Sequence, residues 1–210
     1  MIKNKDFIEI TYTGTLETGE VFDTTDEATA KKSNIYNKNM TYGPVIICVG
    51  ENQILPGLDK EIIGKDFKSY TFTLSPENAF GKKNPKLLQL LSQTSFKKQN
   101  ITPYPGLQIN IDNMMGTVRT VTPGRVIVDF NHPLAGKTLI YKIKILKQIK
   151  DTKKQINSLL NFYGKDIKTE IKDSNATIIS KTLPKELQKD LTEKITTLIP
   201  NIKKLTIKKE

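Results

Sequence analysis

The sequence predicts an α+β protein in which a β-rich domain is interrupted by a second β-rich module and followed by an αββαβ tail. Three observations lead there. Strand-like alternation of apolar and polar residues, broken by glycine and proline turns, dominates residues 1–150, where a single short helical pattern occurs. Turn residues become dense from Lys86 to Asp129, and the long strand pattern after them, "TLIYKIKIL", must pair with something earlier in the chain. From Asp151 the apolar spacing changes to that of an amphipathic helix. A length of 210 residues exceeds the usual size of one core and fits more than one module.

The elements follow in order. "FIEITYTGTLETGEVFDTT" reads as strand, glycine turn and strand, with Phe7, Ile8, Ile10 and Tyr12 as its apolar positions and "ETGE" as the turn. Residues Asp26 to Asn39 are too hydrophilic for core and are expected as a surface loop. "GPVIICVG" is a buried strand between glycines. In "LPGLDKEIIG", Pro56 opens a short helix, Leu58 and Ile62 share one face, and Gly64 ends it. "DFKSYTFTL" alternates as a strand. Inside the interruption, "LQINID", "GTVRTV" and "GRVIVDF" are strand signals separated by turns in "DNMMG" and "TPG", and "NHPLAGK" turns the chain back into the first domain. The tail begins with a helix in which Ile156, Leu159, Leu160 and Tyr163 share a face and Gly164 is the stop. "IKTEI" and "ATIISKT" then make a hairpin, Pro184 to Leu198 a second helix and "IKKLTIKK" a last strand.

Composition narrows the function classes. Cys48 is the only cysteine, which excludes an intramolecular disulfide and a CxxC metal or redox site. The net charge of +11 suits an acidic partner, but the charge is spread along the chain, and Arg119 and Arg125 are the only arginines. Specific nucleic-acid recognition is therefore not expected. No apolar run is long enough to span a bilayer, and "MIKNKDFIEI" has no signal-like apolar region, so a cytoplasmic protein without membrane contact is the expectation. His132 is the only histidine; with no cysteine beside it, it is expected to pack or hydrogen-bond in its turn rather than to bind a metal.

Four motifs, "YTGTLETGEVFDTT", "VGENQILPGLDKEIIG", "SPENAFGKKNP" and "NHPLAGKTLIYKIKIL", stand in an order and spacing that resembles the FKBP-type peptidyl-prolyl isomerases. The segment between the third and fourth resembles the inserted flap domain of the SlyD-like branch, and the tail resembles the extra C-terminal domain of long archaeal members. The resemblance implies a curved antiparallel sheet wrapped on a short helix, with an apolar pocket between them. It divides the chain into an isomerase domain at 1–85 and 130–150, a flap domain at 86–129 and a C-terminal domain at 151–210.

By the same resemblance, Tyr12 is the pocket-floor tyrosine, and Phe22 and Asp23 belong to the pocket wall. Ile54 and Leu55 are the pair whose backbone binds the peptide. Leu58 stands where many members have tryptophan, which makes the floor smaller. Phe80 replaces the usual tyrosine and lacks its hydroxyl. Tyr141 occupies a phenylalanine position, with Leu134 as pocket lining beside it. The implied activity is prolyl isomerisation without cofactor, metal or covalent chemistry. In the insert, Leu107, Ile109, Ile111, Met114, Met115 and Val118 are either that module's small core or an adaptable apolar surface for clients. Unfolded or proline-containing polypeptides are the expected partners, with the ribosome and a homodimer through the C-terminal domain as further candidates. Two rival readings stay open: a client-holding chaperone with weak isomerase activity, and a ribosome- or RNA-associated basic protein.

Overall fold

The structure is a computed structural model that describes residues 1–208 apart from 162, 165, 166 and 182. The chain is α+β and divides into two compact units, Met1–Leu74 with Leu139–Glu210, and Ser75–Thr138. In chain order the first unit opens with β1 (Phe7–Leu16), β2 (Val21–Thr24), α1 (Glu27–Lys32), β3 (Val45–Cys48), α2 (Pro56–Ile62) and β4 (Ser69–Leu74). The second unit holds β5 (Leu88–Ser92), α3 (Gln93–Lys98), β6 (Gln108–Ile111), β7 (Met114–Thr122) and β8 (Arg125–Asp129). The chain then returns to the first unit as β9 (Leu139–Gln148), α4 (Thr152–Leu160), β10 (Lys168–Lys172), β11 (Asn175–Ile179), α5 (Lys185–Leu198) and β12 (Lys204–Lys208).

The first sheet runs β2-β1-β9-β4, with β3 pairing on β1. The strand "TLIYKIKIL" finds its partners here: β9 lies antiparallel between β1, from Ile8↔Gln148 to Leu16↔Leu139, and β4. Its alternation explains why it can sit at the centre. Leu139, Tyr141, Ile143 and Ile145 are buried on one face, and Lys142 and Lys144 are exposed on the other. Residues 26–39 are not all loop: α1 forms at their start. Asp26 caps it by accepting the Thr29 N–H at 2.7 Å, Glu27 pairs with Lys31 one turn on, and Ala30 is buried.

The tail has the order αββαβ. β10 and β11 form an antiparallel hairpin, and β12 lies parallel to β11 after α5. Helix α4 ends at Leu160, and Tyr163 follows it in a turn closed by its N–H on the Leu160 carbonyl at 2.8 Å. Thr182 of the expected hairpin and Lys209 of the expected last strand lie outside the described residues. One apolar cluster joins Phe7, Cys48 and Ile149 to Ile156, Leu159 and Leu160 of α4 and to Leu191 and Ile195 of α5. The tail and the ends of β1, β3 and β9 thus bury their apolar faces against each other. Among the described residues no helix is long and apolar enough to cross a membrane.

The second unit is a sheet in the order β5-β8-β7-β6, one face of which packs with Phe96 of α3. Both β5 and α3 go beyond the strand signals read from the sequence. Ser92 caps α3 through the Thr94 N–H at 3.2 Å. The turn between β6 and β7 is only Asp112–Asn113, both at positive φ of 50° and 62°, as a tight hairpin requires. Met114 and Met115 therefore belong to β7 rather than to the turn. Asp129, with its side chain 1% exposed, accepts from Arg119 at 2.9 and 3.1 Å and from Lys83 at 3.2 Å. It also takes the Asn131 side-chain amide at 2.7 Å, while the Lys83 contact ties the start of the unit to its end.

Candidate active site

The site in the first unit is built around Gly14 of β1. Gly14 faces Asp23 of β2 on one side and Tyr141 of β9 on the other. The pairing of β1 with β2 slips after it, from Gly14↔Asp23 to Thr15↔Val21, which leaves Phe22 as the extra residue of a β-bulge. The bulge turns the Phe22 ring over Gly14. A Cβ at position 14 would meet Phe22 Cζ at 2.7 Å and Tyr141 Cε1 at 3.0 Å, so the space above the glycine is filled by those rings. Phe22 meets Tyr141 edge to face, with centroids 5.6 Å apart and planes at 82°, and Tyr12 meets Tyr141 at 5.9 Å. Three of the predicted residues thus form one aromatic cluster. Gly14 escaped the reading of individual site residues; a lone glycine inside a strand was the available signal, since it marks close approach of another group.

Asp23 adjoins this cluster. Burial raises the Asp23 pKa, opposed by the nearby Tyr12 hydroxyl and by the Thr24 backbone N–H. Burial also pushes both the Tyr12 and Tyr141 phenols up, with the nearby Asp23 charge adding to it. Both hydroxyls therefore stay protonated and can donate.

Ile54 and Leu55 precede α2, whose first residue is Pro56. The Leu55 carbonyl accepts the Leu58 and Asp59 N–H groups at 2.8 and 3.1 Å. The N–H groups of Ile54 and Leu55 themselves have no partner among the described residues and remain free to donate. Leu58 is buried on α2. Ile54 and Tyr12 line a common cleft.

Phe80 and Leu134 lie in the second unit. They converge there on His132: the Phe80 ring stacks on the imidazole with centroids 4.1 Å apart and planes at 7°, and the Leu134 N–H donates to His132 Nδ1 at 3.1 Å. His132 thus packs and hydrogen-bonds within its turn.

Of the six insert residues considered for client binding, the structure places Ile109 and Val118 in the core under α3, with Leu107 and Ile111 packed against it. Ile109 and Val118 are thus buried and Leu107 and Ile111 half-buried, as in the alternative that makes them the module's small core. Met114 and Met115 are exposed, the latter at 57%. Leu88, Leu90 and Ile127, which the sequence reading passed over, are exposed as well, with Leu90 at 59% and directly opposite Ile127 across the β5–β8 pair.

Comparison with known proteins gives the family of the chain. The family model "FKBP26, IF domain" matches residues 89–134. The short-type peptidyl-prolyl cis-trans isomerase of Methanocaldococcus jannaschii is 31% identical over 146 residues, 69% of this chain and 92% of that protein. A probable FKBP-type 16 kDa peptidyl-prolyl cis-trans isomerase of Pseudomonas fluorescens is 35% identical over 49% of this chain and 71% of its own. The chain belongs to the FKBP-type peptidyl-prolyl cis-trans isomerases. The SlyD isomerase of Treponema pallidum, 27% identical, is matched over 76% of this chain and 85% of its own. An FKBP-type isomerase acts on a bond whose rotation barrier is about 20 kcal/mol because twisting removes amide resonance.

Proposed function

We propose that this isomerase holds the prolyl ring of its substrate against Phe22 and Tyr141, with Tyr12 and Asp23 at one edge and the Ile54 and Leu55 N–H groups donating to substrate carbonyls. The observation that carries the reading is the aromatic cluster closed over Gly14. An apolar wall strips water from the planar, charge-separated amide and so favours the twisted state, in which that charge separation is lost. A barrier lowered by about 4 kcal/mol gives roughly a thousandfold acceleration. Asp23 acts by fixing the Tyr12 hydroxyl; no proton needs to be transferred. Neither a metal nor a cofactor enters these steps.

The second part of the proposal is client holding by the insert. Leu88, Leu90 and Ile127 on one sheet face, with Met114 and Met115 on β7, offer apolar surface of the kind that binds unfolded polypeptides. Tethering such a surface to a prolyl site raises the effective concentration of prolines there. The test compares turnover of a proline tetrapeptide with proline-limited refolding of an unrelated protein. Phe22→Ala is expected to lower both. Leu90→Lys with Ile127→Lys is expected to lower the refolding rate relative to the tetrapeptide rate and to weaken suppression of aggregation. An unchanged rate in Phe22→Ala removes the aromatic site, and an unchanged ratio in the double variant removes the client surface.

A further inference from the structure

Beside the prolyl site, a cleft of about 760 Å³ runs from Tyr12 and Ile54 past Tyr42 and Val45 to Asn157 of α4 and Asn161 at its C-terminal cap. Two kinds of contact hold α4 in place. Its apolar side enters the core with Phe7 and Cys48. Gln53, the residue before Ile54, accepts the Cys48 N–H at 2.6 Å and donates to the Ser158 carbonyl at 3.2 Å. One side chain thus positions both the helix and the backbone beside the prolyl site.

Lys154 and Asn157 of α4 and Asn161 at its C-terminal cap, which keeps helical backbone angles, line the cleft, spaced three and four apart so that they share a face. None of these side chains has a hydrogen-bond or ion-pair partner among the described residues. Glu9, the acid in the same lining, is already paired with Lys147 at 3.3 Å. Two amides without a partner among the described residues can pair with the N–H and C=O groups of an extended peptide, and an ammonium group that has no counter-charge among those residues favours an acid. We infer that the residues flanking the proline run along α4, that Asn157 and Asn161 bind their backbone, and that Lys154 selects substrates carrying an acidic residue on that side. This deepens the reading of the prolyl site given above and rests on it.

The test uses the full chain and a blocked tetrapeptide containing Phe-Pro. The same peptide is also lengthened on its N-terminal or C-terminal side by an alanine segment ending in Glu or in Lys. The readout is the ratio of kcat/KM for lengthened and short peptides. On one side, lengthening raises kcat/KM, and Glu is preferred to Lys by about two- to fivefold, as expected of a partly exposed ion pair. Lys154→Glu inverts that preference, and Asn157→Ala with Asn161→Ala abolishes the gain from lengthening. Equal ratios for all peptides, or a Glu preference that survives Lys154→Glu, overturns the inference and leaves the prolyl site standing. A wild type that does not turn over the tetrapeptide overturns the reading of the prolyl site, and the inference with it.

Discussion

Replacing Gly14 by alanine probes the centre of the site with a single methyl group. The backbone at Gly14 is that of an ordinary strand, without positive φ, so alanine fits the chain and gains about 0.4–1 kcal/mol from the smaller entropy of the unfolded state. The methyl, however, falls 2.7 Å from Phe22 Cζ, 3.0 Å from Tyr141 Cε1 and 3.1 Å from Phe22 Cε2. Ordinary carbon contact begins near ~3.5 Å, so the Phe22 ring must move by about 0.8 Å. Tyr141 is buried and cannot yield, whereas Phe22 is half-buried and can swing outward. Overpacking of this kind costs about 1–3 kcal/mol, which leaves a net destabilisation of about 0–2.6 kcal/mol. A displacement approaching 1 Å in a binding wall lowers kcat/KM by on the order of 10- to 100-fold. Urea unfolding gives the first number, and tetrapeptide isomerisation by the same preparation gives the second. A Gly14→Ala variant that is more stable than wild type and keeps its kcat/KM would refute the closure of Phe22 and Tyr141 over Gly14.

Other outcomes follow from the buried ionisable groups. Burial acts to raise the Asp129 pKa, but the hydrogen bonds from Asn131, Lys83 and Arg119 outweigh it and hold the carboxyl well below the usual range. A depressed folded pKa contributes stability that is fully present above the unfolded value of about 3.9 and is lost as pH falls below it. The insert of the wild type should therefore lose stability on acidification below that pH, and Asp129→Asn should abolish that dependence. Because Lys83 and Arg119 remain about half exposed, the Asn variant should cost about 2–3 kcal/mol at neutral pH, less than loss of a fully buried pair, as read by amide exchange in β7 and β8. Burial pushes the Cys48 thiol up to about 12, with the Glu51 charge contributing. At pH 8 a thiol reagent should leave Cys48 unmodified in the native protein and react with it promptly in urea; prompt native reaction would mean that the core around α4 opens readily.

Much of the strand framework was legible locally. Alternation in "TLIYKIKIL" specifies which of its side chains face inward, and a strand with one apolar and one lysine-rich face needs partners, which the stretches at β1 and β4 supply. The residue types of the site were legible too, because Tyr12, Phe22, Asp23 and Tyr141 are carried by motifs whose spacing survives the insertion. The six-residue helices α1 and α3 were not read. Their local signals are slight, caps at Asp26 and Ser92 and a few charges at the helix ends, and a helix that short depends on packing for its stability.

The sequence by itself determined the order of strands and helices, the return of the chain after the insert and the chemistry available to the site, since period and turn residues act over short stretches. Tertiary structure decided which apolar faces are covered. Ile109 and Leu90 stand in similar alternating strands, but Phe96 of α3 closes over the face with Ile109 and leaves Leu90 bare. It also decided that a one-residue slip between β1 and β2 brings Phe22 over Gly14, and that α4 docks beside Ile54 to complete a cleft. Each of these joins residues far apart in the chain, and apolar packing of this kind is non-directional, so no local pattern encodes the partner.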